Sequence, residues 1–170
     1  MSPSEDERLR SALRSALAGL SVLVMAVGNP MRADDGFGSE VAARLSGKTA
    51  ATIIDAQTAP ENFTGVVRRE RPEVVLVLDA ADFGGGVGEL RLLRPGELSG
   101  GSPSTHAAGL GLLFEYLRAE CGAESLVLAV QAGSLELGAP MTPAVAEAVG
   151  RAAEALIAVL ASGPEAGSRA

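Results

Sequence analysis

Apolar positions along the chain fall into short runs separated by amphipathic stretches. Residues 21–27, SVLVMAV, are apolar after the first position and stop sharply at Gly28-Asn29-Pro30. A run of that length without polar alternation predicts a strand buried on both faces. Residues 51–56 (ATIIDA), 74–81 (VVLVLDAA) and 125–132 (SLVLAVQA) predict three further strands. Residues 88–93, GELRLL, alternate apolar with polar and predict a half-exposed edge strand. Between these runs the spacing changes to that of helices. Leu9, Leu13 and Leu17 lie on one face of a predicted helix over 4–19, with acids in its first turn. FGSEVAARLSG closes at Gly47, ENFTGVVRRE is helix-like, and Leu110, Leu113, Phe114 and Leu117 form one face of a helix over 107–120. A last helix runs from Pro143 to about Ala161, with Thr142 as N-cap and Pro143 at the first helical position.

Strands alternating with helices predict a three-layer α/β/α sandwich around a mostly parallel sheet, with 88–93 as the antiparallel edge. The expected organisation is an amphipathic helical extension over residues 1–20, one domain over 21–162 and a disordered tail over 163–170. The Gly/Ser/Pro-rich stretch 95–105 is the expected site of flexibility. A chain of 170 residues suits one core, and with 3% aromatic content and no Trp that core must be aliphatic.

The net charge of −7 argues against a nucleic-acid partner, because the basic residues are few and scattered. Cys121 has no partner for an internal disulfide, and its place at the end of a predicted helix, with no His nearby in sequence, disfavours a nucleophile. Neither a signal-peptide apolar region nor a membrane-length run is present, so the expectation is a soluble cytoplasmic protein with no membrane contact.

Ligands of such folds bind beyond the carboxyl ends of the strands, and three groups capable of chemistry are predicted there. The loop VGNPMRADDGFG carries Asp34 and Asp35. It does not fit a dinucleotide fingerprint, since Ala26 and Asn29 stand where glycines are needed and two carboxylates repel phosphate. Asp79 ends an apolar strand, with Asp82 three residues on. His106 is the single histidine and precedes a helix that Ser104 or Thr105 would cap. Each has an ordinary structural explanation: Asp before Gly is a common turn, and a lone His is usually a surface or satisfied core group. Together, two carboxylates and an imidazole make a plausible open site for Zn²⁺ or Ni²⁺. No H-E-x-x-H pair and no G-x-S-x-G elbow is present.

The segments GNPMRADDGFG, DAQTAPEN (55–62), LDAADFGGGVGELRLL (78–93), STHAAGL (104–110) and QAGSLELGAPMTPAV (131–145), in that order, resemble the endopeptidases that mature nickel-iron hydrogenases. The similarity is greatest to the subgroup serving the hydrogenase 3 (formate hydrogenlyase) large subunit and extends over about residues 21–160. The resemblance implies that Asp35, Asp79 and His106 contact metal and carry catalysis, with Asp34 in support. It further implies removal of a C-terminal peptide from the large-subunit precursor once nickel is in place, the nickel being supplied by that substrate. The attacking group is either a metal-bound water or a water activated by a carboxylate while nickel positions the chain. Loops after Asp55 and Gln131 would wall the groove, with Thr58, Asn62 and Gln131 as candidate contacts. A monomer is expected. Two other classes share some of these features: a metal-binding assembly factor that holds the same subunit without cutting, and a nucleotide-binding α/β protein, which the acidic Gly-Asn loop disfavours.

Overall fold

The computed structural model describes residues 3–98 and 107–164. Five strands, β1 (Val22–Val27), β2 (Thr52–Gln57), β3 (Val74–Ala81), β4 (Leu90–Leu93) and β5 (Glu124–Gln131), form one sheet in the order β2-β1-β3-β5-β4. Every pairing is parallel except β4 with β5. The expected α/β/α architecture with one antiparallel edge is therefore the architecture found.

Side chains alternate across the central strands. Val22, Val24, Leu76, Leu78, Leu128 and Val130 point to one layer, and Leu23, Met25, Val75, Val77, Val127 and Ala129 to the other. The first layer holds α1 (Glu5–Leu17), α2 (Phe37–Leu45) and α5 (Pro143–Leu160); the second holds α3 (Thr64–Glu70) and α4 (Ala107–Cys121). Because β1, β3 and β5 are covered on both faces, their sequences read as continuous apolar runs. At the edges, β2 and β4 are only partly buried, as their mixed sequences imply.

Helix α1 is part of the main core rather than a loose extension. A capping box starts it: Ser4 Oγ accepts from the Glu7 amide at 3.2 Å, and the Ser4 amide donates to Glu7 Oε2 at 2.7 Å. Leu9, Leu13 and Leu17 are buried in the cluster shared with α5, each stabilising the fold by about 1.5–3 kcal/mol relative to exposure. Arg151 on α5 reaches back to Asp6 at 3.4 Å and donates to the Gly88 carbonyl at 2.8 Å. Among the described residues no helix is long and apolar enough to cross a membrane. The expectations for the 99–105 part of the Gly/Ser-rich stretch, for the Ser104 or Thr105 cap and for the tail over 165–170 lie outside the described residues.

Candidate active site

The chain leaves β1, crosses to β2 on one side, then returns to β3 on the other side of β1. That reversal opens a crevice at the carboxyl ends of β1 and β3, the position at which ligands bind in this class of sheet. Both predicted acids fall there. Ala26 pairs with Leu78 as the last matched positions of the two strands, so Asp79 lies just beyond them. Asp79 is 1% exposed, and its partner across the sheet, Ala129, belongs to the cluster under α4. Its carboxylate is therefore on the α3/α4 face, where an ionised group carries a desolvation cost even when hydrogen-bonded.

Asp34 and Asp35 occupy a 3-10 turn over Ala33–Gly36 that packs on β3. Asp35 is 3% exposed and its Oδ2 accepts from the Asn29 amide at 2.8 Å. The turn sits directly on Gly28, whose φ of +128° few other residues adopt and whose missing Cβ would lie 2.1 Å from the Asp35 carbonyl oxygen. Gly38 fills a similar role, since a Cβ there would meet the Leu78 and Val27 carbonyls at 2.7 and 2.9 Å. The G-N-x-x-x-x-x-D-G-x-G spacing is thus a packing device: it lowers the start of α2 onto the ends of β1 and β3 and sets Asp35 beside Asp79's strand.

Asp34 has a separate task. It is fully buried, and its two carboxylate oxygens accept from the amides of Gly133 (2.8 Å), Ser134 (3.0 Å) and Thr142 (2.7 Å) and from the Thr142 hydroxyl (2.9 and 3.0 Å). Its own amide donates to the Ser134 carbonyl at 3.1 Å. One side chain thereby ties the loop after β1 to both ends of the loop between β5 and α5. Thr142 is the N-cap residue of α5 as predicted, but its hydroxyl donates to Asp34 instead of accepting from the helix.

Gln131 is committed in the same way. Its Oε1 accepts from the Phe83 and Gly85 amides at 2.9 and 3.1 Å, and its Nε2 donates to Asp82 Oδ1 and to the Ala132 carbonyl, both at 3.1 Å. It closes the 82–85 loop and has no hydrogen-bonding capacity left for a ligand. Asp82 is a loop residue bound to Gln131 and to the Gly84 amide. Further along this loop, the Arg91 side chain at 2.7 Å, then the Gly86 amide at 3.0 Å, hold the Glu89 carboxyl below its ordinary range.

Thr58 lines a cavity of about 660 Å³ between the 58–64 segment and α4, together with Pro60, Glu61, Thr64, Leu110, Leu113 and Tyr116. Asn62 is exposed beside it. Helix α4 leads back to the start of β5, so its first described residue, Ala107, stands at the same end of the sheet as Asp79. His106 itself lies outside the described residues. Among the described residues, no three His, Cys, Asp or Glu side chains group as a metal site. Cys121 is partly exposed at the end of α4, which leads into the amino-terminal end of β5, away from the acids.

A family model for hydrogenase maturation proteases (HycI) matches residues 37–159, a span that includes Asp79 and His106 and begins just past Asp35. The chain belongs to the hydrogenase maturation protease family. The hydrogenase 3 maturation protease of Escherichia coli K12 is 32% identical over 130 residues, covering 75% of this chain and 83% of that protein. A putative hydrogenase maturation protease of Methanocaldococcus jannaschii is 29% identical over 120 residues, covering 65% and 71%. In three dimensions the chain is similar to the crystal structure of a nickel-iron hydrogenase maturation protease, HycI, from Thermococcus kodakarensis, with a TM-score of 0.81 at 28% identity over 89% of this chain and 99% of that one. The expectation of a hydrogenase maturation endopeptidase with an α/β/α fold is met by sequence and fold alike.

Proposed function

We propose that this family member removes a C-terminal peptide from the nickel-loaded precursor of a hydrogenase large subunit, of the hydrogenase 3 type, acting as a cytoplasmic monomer. The observation that carries the reading is the convergence of Asp35 and Asp79 at the crevice between β1 and β3. Two carboxylates held in a rigid, largely dry site suit a hard or borderline cation that arrives with the substrate. Asp35, Asp79 and His106 contact that nickel and so fix the scissile segment against the crevice. A carboxylate then serves as base for the attacking water, with nickel acting chiefly to position the chain. The groove lined by Thr58, Thr64, Leu110 and Leu113 has room for an extended segment of the tail.

The test is the mass of a large-subunit precursor over time, in nickel-loaded and nickel-free forms, with Asp35→Asn, Asp79→Asn and His106→Ala run alongside. The expected result is loss of one C-terminal peptide from the nickel-loaded form only, abolished by each substitution. Equal cutting of the nickel-free form would refute the role given to nickel. Binding without cutting would replace the endopeptidase reading with that of an assembly factor.

A further inference from the structure

Among the described residues, the large apolar side chains left open to solvent include Met31 and Leu137, each 69% exposed. They are 106 positions apart in sequence but sit on loops that are locked together. The Gly138 amide donates to the Met31 carbonyl at 2.8 Å, and Arg32 Nε donates to the Leu135 carbonyl at 3.2 Å. Behind them, Asp34 binds Gly133, Ser134 and Thr142. The Met31 amide donates in turn to Asn29 Oδ1 at 2.9 Å, and the Asn29 amide holds Asp35. Two apolar side chains are thus displayed on backbone already fixed by hydrogen bonds, so little backbone entropy is lost when a partner covers them.

We infer that Met31 and Leu137 form an apolar dock for the folded body of the large-subunit precursor, distinct from the groove that takes its tail; the inference rests on the proposed reading of the site. Continuity identifies the occupant. Met31 is four residues before Asp35 in one braced loop, so a protein whose scissile segment reaches Asp35 lays its neighbouring surface over Met31 and Leu137. The tail groove lies elsewhere, against α4 on the other layer. A second copy seated on this rim would cover the crevice that the substrate must enter. An anionic lipid surface is disfavoured by exposed Glu136 beside Leu137, by the Arg32 guanidinium turned back onto Leu135, and by a chain charge of −7. Binding energy at interfaces concentrates in a few side chains that become fully desolvated, and two apolar side chains on braced backbone can take that part.

The experiment compares Met31→Ser/Leu137→Ser with the parent chain, both in an Asp79→Asn background so that no precursor is consumed. Titrations use nickel-loaded precursor and, separately, a synthetic peptide of its C-terminal extension. The double substitution is expected to weaken precursor binding at least about tenfold, to leave peptide binding within about twofold, and to leave the melting temperature unchanged. With Asp79 restored, it should raise KM for the precursor by a similar factor with kcat nearly constant. Unchanged precursor affinity, or an equal loss for the peptide, overturns the dock. If the chain with Asp79 intact binds nickel-loaded precursor without cutting it and the tenfold loss is still seen, the dock stands and the endopeptidase reading falls.

Discussion

Replacing Asp34 with Asn exchanges one oxygen for an amino group and alters almost no volume, so packing is a negligible part of its effect. The hydrogen-bond count is not. Both oxygens of Asp34 face donors: the Gly133 and Ser134 amides meet Oδ2 and the Thr142 amide meets Oδ1. Either flip of an Asn side chain turns its amino group toward a backbone N–H. The milder flip places it against Thr142, leaving one buried amide and part of the amino group unsatisfied, at about 1–3 kcal/mol each. Partial acceptance by the Thr142 hydroxyl relieves some of this, giving a net loss of about 2–4 kcal/mol. For a chain of this size that lowers the melting temperature by roughly 5–15 °C. Thr142→Val removes only the hydroxyl donor and leaves the three backbone bonds, so about 1 kcal/mol is expected. Thermal and urea unfolding of the two variants against the parent chain measure both numbers. A loss below about 1 kcal/mol for Asp34→Asn, or a larger loss for Thr142→Val, would refute the assignment of Asp34 as the tie between the two loops.

Leu13 is fully buried between α1 and the rest of the core, so Leu13→Ala should cost about 2–5 kcal/mol in urea unfolding, and a surface-like change near zero would show α1 to be dispensable. The folded-state pKa of Glu89 is depressed, so its ionised form adds stability above its ordinary value of 4.5, and that contribution disappears as pH falls through the lowered value. The stability difference between the parent chain and Glu89→Gln should therefore be present at neutral pH and shrink in acid below about pH 4.5, and a gap that persists or widens there would reverse the sign.

The strands were legible because a sheet covered on both faces needs side chains that are apolar in both directions, and 74–81 and 125–132 show that need directly. Their spatial order was not. Nothing in a local run states that β1 lies between β2 and β3, yet that placement brings Asp35 toward Asp79. The paired acids before glycine in GNPMRADDG are legible as a candidate site, but the different hydrogen-bond partners of the two acids are not. Asp34 is occupied by partners about a hundred positions away, and only the fold brings them near. Gln131 is a candidate groove contact by sequence, yet its amide is spent on the 82–85 loop; a polar residue at a strand end has the same local signature in either role. Leu9, Leu13 and Leu17 announced a helix with an apolar face but not the partner for that face. Met31 and Leu137 left no signal at all, because isolated apolar residues in loops are common and the hydrogen bonding of their two loops is a property of tertiary structure.

The seating of α1 against α5 also orders the birth of the molecule. The leucine face emerges from the ribosome before any strand, while the surface it fits, around Ala152 and Leu156, emerges after every strand. Until α5 is made, the apolar ridge of α1 therefore lacks its largest native partner, and the core closes fully only once the last helix is released. Translation that stalls before residue 143 therefore yields a fragment with part of its apolar surface uncovered, which favours aggregation.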